Sequence, residues 1–136
     1  MKYKNILLVN DNKDDAEIFV SALNAINHQI GSTVEKSALK AIKKLKDSKL
    51  TPDIIFLDYN MPYFDGGSFL KLLRDIKGLK KIPVIFYSRS SGLVMQDTMG
   101  KFKGVQFLKK STNFRKLFES LQKIVMTKKS LDKILT

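Results

Sequence analysis

Three short runs of unbroken apolar residues, each followed by an amphipathic stretch, constrain this 136-residue chain more than any other feature. They are Ile6 to Val9, Ile54 to Leu57 and Pro83 to Tyr87. A strand with no polar alternation is buried on both faces, as inner strands of a parallel sheet are. After the first run, Asp11 to Asp14 supplies cap chemistry, and Ala16, Phe19, Val20, Leu23 and Ile26 recur at helical spacing. A second strand is expected over Gly31 to Glu35. Ser37 then offers an N-cap before the stripe Leu39, Ile42 and Leu45. Phe69, Leu70, Leu72, Leu73 and Ile76 mark a third helix ending before Gly78, and Ser91 to Lys101 a weakly amphipathic fourth. Val105 to Leu108 reads as the last strand. Phe114, Leu117, Phe118, Leu121, Ile124 and Val125 give the cleanest helical stripe. Five strand-then-helix repeats with short connections call for a (βα)5 doubly wound parallel five-stranded sheet with helices on both faces.

Composition removes several chemistries. The chain has no cysteine and one histidine, His28, so thiolate catalysis, disulfides and histidine-rich metal sites are excluded. The N-terminal apolar run is too short for a signal peptide or membrane span, which points to a cytoplasmic protein. The formal net charge is +12, and from Lys101 to Thr136 ten Lys and Arg residues face only Glu119 and Asp132. Such a balance favours acidic partners without choosing among them, and a solvated lysine-rich surface is the plainer account.

In a doubly wound fold, ligands sit beyond the carboxyl ends of the strands where strand order reverses. Asp11, Asp58, Ser88 and Lys109 or Lys110 all fall at such ends. Singly, each is an ordinary cap or turn residue. Together, two acids, a hydroxyl and an ammonium facing one crevice make a reaction site. Carboxylates without His or Cys favour a hard cation, and Mg²⁺ suits few carboxylates plus phosphate oxygens and water. The sum suits phosphorylation of a carboxylate: Asp58 as nucleophile, Ser88 donating to a phosphoryl oxygen and a lysine balancing the added charge.

The stretches ILLVND, PDIIFLDYNMPYFDG, IPVIFYS and FLKK resemble the response-regulator receiver family, and the resemblance runs from Ile6 to about Val125. It implies a flavodoxin-like receiver fold and a phosphoacceptor domain rather than a conventional enzyme. By the family's pattern Asp58 is the phosphoacceptor, Asp11 binds Mg²⁺ directly with Asp58, and the Asn60 carbonyl completes the protein's share of the metal shell. Ser88 and Lys110 hold the phosphoryl group, while Ser88 and the aromatic Phe107 form the switch. The implied partners are a histidine kinase or histidine phosphotransfer protein upstream, and a protein docking on the fourth helix, fifth strand and fifth helix downstream.

Four features depart from that pattern. Asn10 stands behind the metal where the family has a first acid, so weaker Mg²⁺ binding is expected. Arg89 follows Ser88 where a small residue is usual, either covering the phosphoryl pocket or pointing to solvent. Ser111 replaces a proline, so its peptide bond is either trans or strained, since a cis bond there costs about 3–4 kcal/mol. The fourth is the positive charge. The expected organisation is a receiver domain over 1–127 and a short basic extension over 128–136 with no output domain, in which Leu131, Ile134 and Leu135 are expected to fray, the alternative being that they extend the helix or dock a partner. The competing function is a receiver scaffold with its switch disabled that binds nucleic acid or another anionic surface constitutively.

Overall fold

The computed structural model of the chain describes residues 2–61, 64–127 and 131–135. Strands β1 (Asn5–Val9), β2 (Gly31–Glu35), β3 (Ile54–Asp58), β4 (Val84–Ser88) and β5 (Val105–Lys109) alternate with helices. These are α1 (Lys13–Ile26), α2 (Ala38–Lys46), α3 (Gly66–Arg74), α4 (Leu93–Lys101) and α5 (Phe114–Met126), followed by the short α6 (Leu131–Leu135). The sheet order is β2-β1-β3-β4-β5 and every pairing is parallel. From β1 the chain steps outward to β2, then crosses back to β3. The order therefore reverses between β1 and β3, and the crevice opens above their carboxyl ends.

Period-2 alternation divides the strand side chains between two cores. Ile54 and Phe56 pack with α1 and α5, where Phe19 meets Phe56 edge-on at 4.9 Å, whereas Ile55 and Leu57 pack with α2, α3 and α4. All five residues of β3 and of β4 are buried. That burial accounts for the unbroken apolar runs. The next residue of each strand inherits its face: Asp58 follows Phe56 toward α1 and α5, as Lys110 follows Leu108. Ser88 follows Phe86 to the opposite face, which it shares with the half-buried Phe107.

Several local expectations are refined. The cap of α1 is Asn12, whose side chain accepts from the Asp15 N–H at 2.9 Å, so Asp11 is exposed and not used as a cap. Ser37 does cap α2. That helix buries Ala38, Ala41, Ile42 and Leu45 and leaves Leu39 in solvent, because the alanines admit close approach to the sheet. Helix α3 stops at Arg74, with the buried Ile76 in the following turn. The Arg74 guanidinium ties this end together, donating to the carbonyls of Leu79, Ile82 and Lys103 at 3.1, 2.8 and 2.8 Å.

The expectation that Leu131, Ile134 and Leu135 fray is overturned. Leu131, Ile134 and Leu135 are spaced for one helical face and pack, half-buried, against the α1 and α5 core. Residues 128–130 and 136 of that extension lie outside the described residues, as do Pro62 and Tyr63 of the loop after β3. No cis peptide bond occurs among the described residues, so Ser111 follows Lys110 through a trans bond.

Candidate phosphoacceptor site

Asp58 closes β3 with only 6% of its surface exposed. Its Oδ1 accepts the Asn60 N–H at 3.1 Å and lies 3.2 Å from the Lys110 ammonium. Register brings these groups to one end of the sheet, since Asp58 pairs with Tyr87 and Ser88 with Lys109. The Lys110 N–H donates to the Ser88 carbonyl at 2.7 Å, extending the β4–β5 ladder past β5 and fixing where the lysine stem begins.

Ser88 is 1% exposed. Its hydroxyl donates to the Ser90 carbonyl at 3.1 Å and accepts from the Asn60 side-chain amide at 3.1 Å. Its single proton is thus already committed, and a phosphoryl oxygen would have to replace Ser90 as acceptor. Asn60 serves twice, through its backbone N–H to Asp58 and its side chain to Ser88.

Asn10 is also 1% exposed, and its Oδ1 accepts the Asn12 N–H at 2.8 Å. That bond fixes which way the amide faces. Its Nδ2 has no hydrogen-bond partner among the described residues, a buried donor of the kind that costs about 1–3 kcal/mol when left unmade. The amide nitrogen has no lone pair to give a cation, and the neutral Oδ1, already accepting the Asn12 N–H, attracts a cation less than a carboxylate would. Among the described residues no three Asp, Glu or His side chains gather into a metal-holding group. The Asp58 carboxylate offers oxygen, the donor that hard divalent cations such as Mg²⁺ and Mn²⁺ take, and such ions keep several waters.

Two participants escaped the sequence reading. Asp15, in the first turn of α1, puts Oδ2 3.0 Å from the Lys110 ammonium. Tyr87 lies beneath the same ammonium, 5.2 Å from its ring centroid, within cation–π range. Burial, then the negative charges of Asp15 and Asp58, push the Tyr87 phenol up to about 12, so it stays protonated at neutral pH. An acid in a first helical turn is ordinary dipole chemistry, so nothing in the sequence marked Asp15 out. Arg89 is exposed and, with Asp15, Tyr87, Lys110 and Phe114, lines a cleft of about 740 Å³ beside the crevice.

Residues 6–122 match the family described as response regulator receiver domain. The chain belongs to that family, whose members serve two-component signalling. It is 30% identical over 130 residues to the response regulator Rcp1 of Synechocystis, covering 89% of this chain and 86% of that protein. It is 29% identical over 126 residues to the hybrid signal transduction histidine kinase M of Dictyostelium discoideum, covering 90% of this chain but 5% of that protein's length. Among solved structures, the phosphorylated cyanobacterial phytochrome response regulator RcpA superposes with a TM-score of 0.81 at 25% identity, over 94% of this chain and 97% of its own. The Mn²⁺-bound form of Rcp1 gives 0.78 at 27% identity, over 93% and 97%. No helix among the described residues is long and apolar enough to cross a membrane.

Proposed function

We propose that this receiver is a live phosphorylation switch in which Asp58 accepts a phosphoryl group from a histidine kinase or histidine phosphotransfer protein. The observation that carries the reading is the buried Asp58 carboxylate, held by Lys110 at 3.2 Å and by the Asn60 amide, with the Ser88 hydroxyl bonded to that same asparagine. Any buried carboxylate needs a cation and a donor, but a purely structural role does not need an acid, a hydroxyl and a lysine gathered at the ends of three strands. The kinship with Rcp1, whose Mn²⁺-bound form is known, supports a divalent cation here, held by Asp11, Asp58 and the Asn60 carbonyl. When bound, Mg²⁺ supplies neutralisation of charge gathering on the transferred oxygens.

The rest belongs to the protein. A carboxylate oxygen of Asp58 attacks phosphorus as the phosphorus–nitrogen bond of the donor imidazole breaks and its electron pair returns to the ring. Lys110 balances the added negative charge as a compact point charge. Ser88 exchanges the Ser90 carbonyl for a phosphoryl oxygen. That exchange moves the end of β4 on the face it shares with Phe107, and the α4, β5 and α5 surface changes its affinity for a downstream protein. Leu93 and Val94 already stand 84% and 73% exposed at the start of α4. Catalysis is confined to the domain's own phosphorylation and dephosphorylation, in the cytoplasm.

The test is incubation with Mg²⁺ and a small phosphodonor, read by intact mass. Uptake of one phosphoryl group, abolished by Asp58→Asn, is expected. Uptake that persists in Asp58→Asn sinks the acceptor assignment. The net charge of +12 favours a second reading, constitutive nucleic-acid binding on a disabled scaffold. Tight, steeply salt-dependent binding of random-sequence DNA or RNA that ignores phosphorylation would select it.

A further inference from the structure

Resting on the phosphoacceptor reading, we propose that Asp15 is a positioning residue for Lys110, clamping the ammonium so that it meets Asp58 in one fixed place. Lysine is a point charge on a flexible four-carbon stem and by itself holds no single geometry. Here the Lys110 ammonium has three walls. Asp58 Oδ1 lies 3.2 Å away and Asp15 Oδ2 3.0 Å away, and the Tyr87 ring centroid is 5.2 Å away. The lysine side chain is 11% exposed and Asp15 31%, so solvent reaches the clamp from the Asp15 side and not from the Asp58 side.

Tyr87, kept neutral, offers a ring face and no competing charge. Helix α1 is anchored there independently, since Asn12 caps it through the Asp15 N–H and Phe19 seats it against Phe56. The Asp15 carboxylate thus stands on a rigid element, as a clamp requires. With Asn10 in place of an acid, Asp15 is also the carboxylate that keeps Lys110 from collapsing wholly onto Asp58 and neutralising the nucleophile.

Two measurements on the intact chain test this. Phosphoryl uptake from acetyl phosphate at saturating Mg²⁺ should slow about tenfold in Asp15→Asn, less than the roughly hundredfold of a misplaced reacting group because the lysine is loosened and not lost, and recover largely in Asp15→Glu. Lys110→Met should be slower still, and Asp15→Asn added to it should change nothing further, because Asp15 acts only through the lysine. A normal or faster rate in Asp15→Asn, or a double variant slower than Lys110→Met, overturns the proposal. The second measurement is the side-chain ammonium resonance of Lys110 by ¹⁵N NMR without phosphodonor. It should be protected from exchange in the parent and lost in Asp15→Asn while Asp58 remains. Persistence there overturns the clamp whatever the phosphorylation result, whereas absence of uptake in the parent with the resonance behaving as expected counts against the phosphoacceptor reading alone.

Discussion

Restoring an acid at position 10 tests how far Asn10 has changed the site. Val9 pairs with Leu57, so Asn10 and Asp58 are the next residues on adjacent strands, and alternation turns both toward the α1 and α5 face. Neighbouring strands are about 5 Å apart, where two like charges at an effective dielectric of about 20 repel by about 3 kcal/mol. Removing the partnerless Nδ2 returns about 1–3 kcal/mol. Metal-free Asn10→Asp should therefore lose up to about 2 kcal/mol, a fall in Tm of up to about 7 °C for a domain of this size. A divalent cation relieves the repulsion, and about 3 kcal/mol corresponds to roughly hundredfold tighter Mg²⁺ binding. Calorimetric titration and melts with and without Mg²⁺ read both quantities. Mg²⁺ affinity equal to or below the parent's, with no loss of stability in the metal-free variant, would refute the placement of Asn10 beside the cation.

Arg74→Ala should cost about 2–3 kcal/mol, because one charged donor group serves three carbonyls, and lower Tm by about 7–10 °C in a thermal melt. Gly66→Ala would place a Cβ 2.7 Å from the Tyr59 ring and 3.1 Å from Phe86, so that ring must shift at a cost of about 1–3 kcal/mol, measurable by denaturant unfolding. Because Tyr59 follows Asp58, the same variant should also slow phosphoryl uptake. Asp65 caps α3, and hydrogen bonds from the Ser68 N–H and then its hydroxyl hold its carboxyl below the usual range. Its contribution is therefore complete above the unfolded-state value of about 3.9 and is lost as pH falls through the lower folded value. Asp65→Ala should lose about 1 kcal/mol at pH 7 and Asp65→Asn much less, with the gap between Asp65→Ala and the parent closing under acid.

The fold was legible because burial on both faces leaves a local record. Ile54 to Leu57 and Pro83 to Tyr87 are unbroken apolar runs, and their shortness, their flanking turn residues and their β-branched and aromatic content favour an inner strand over a buried helix. Asp58 and Ser88 were legible for a related reason: each breaks its run at a strand end, and parallel strands bring all such ends to one edge. The end of β5 offered Lys109 and Lys110 alike, and only the structure puts the Lys110 ammonium 3.2 Å from Asp58. The face each side chain takes followed from alternation once the packing of its strand was known. What lay beyond the sequence depends on distances between elements far apart in the chain. Asp15 and Lys110 are 95 residues apart, and an acid in the first turn of a helix looks the same whether it serves the dipole or clamps a lysine. Asn12 rather than Asp11 caps α1 because of how the chain leaves β1. The docking of Leu131, Ile134 and Leu135 likewise depended on the apolar surface beside β5 and α5, which no local pattern records.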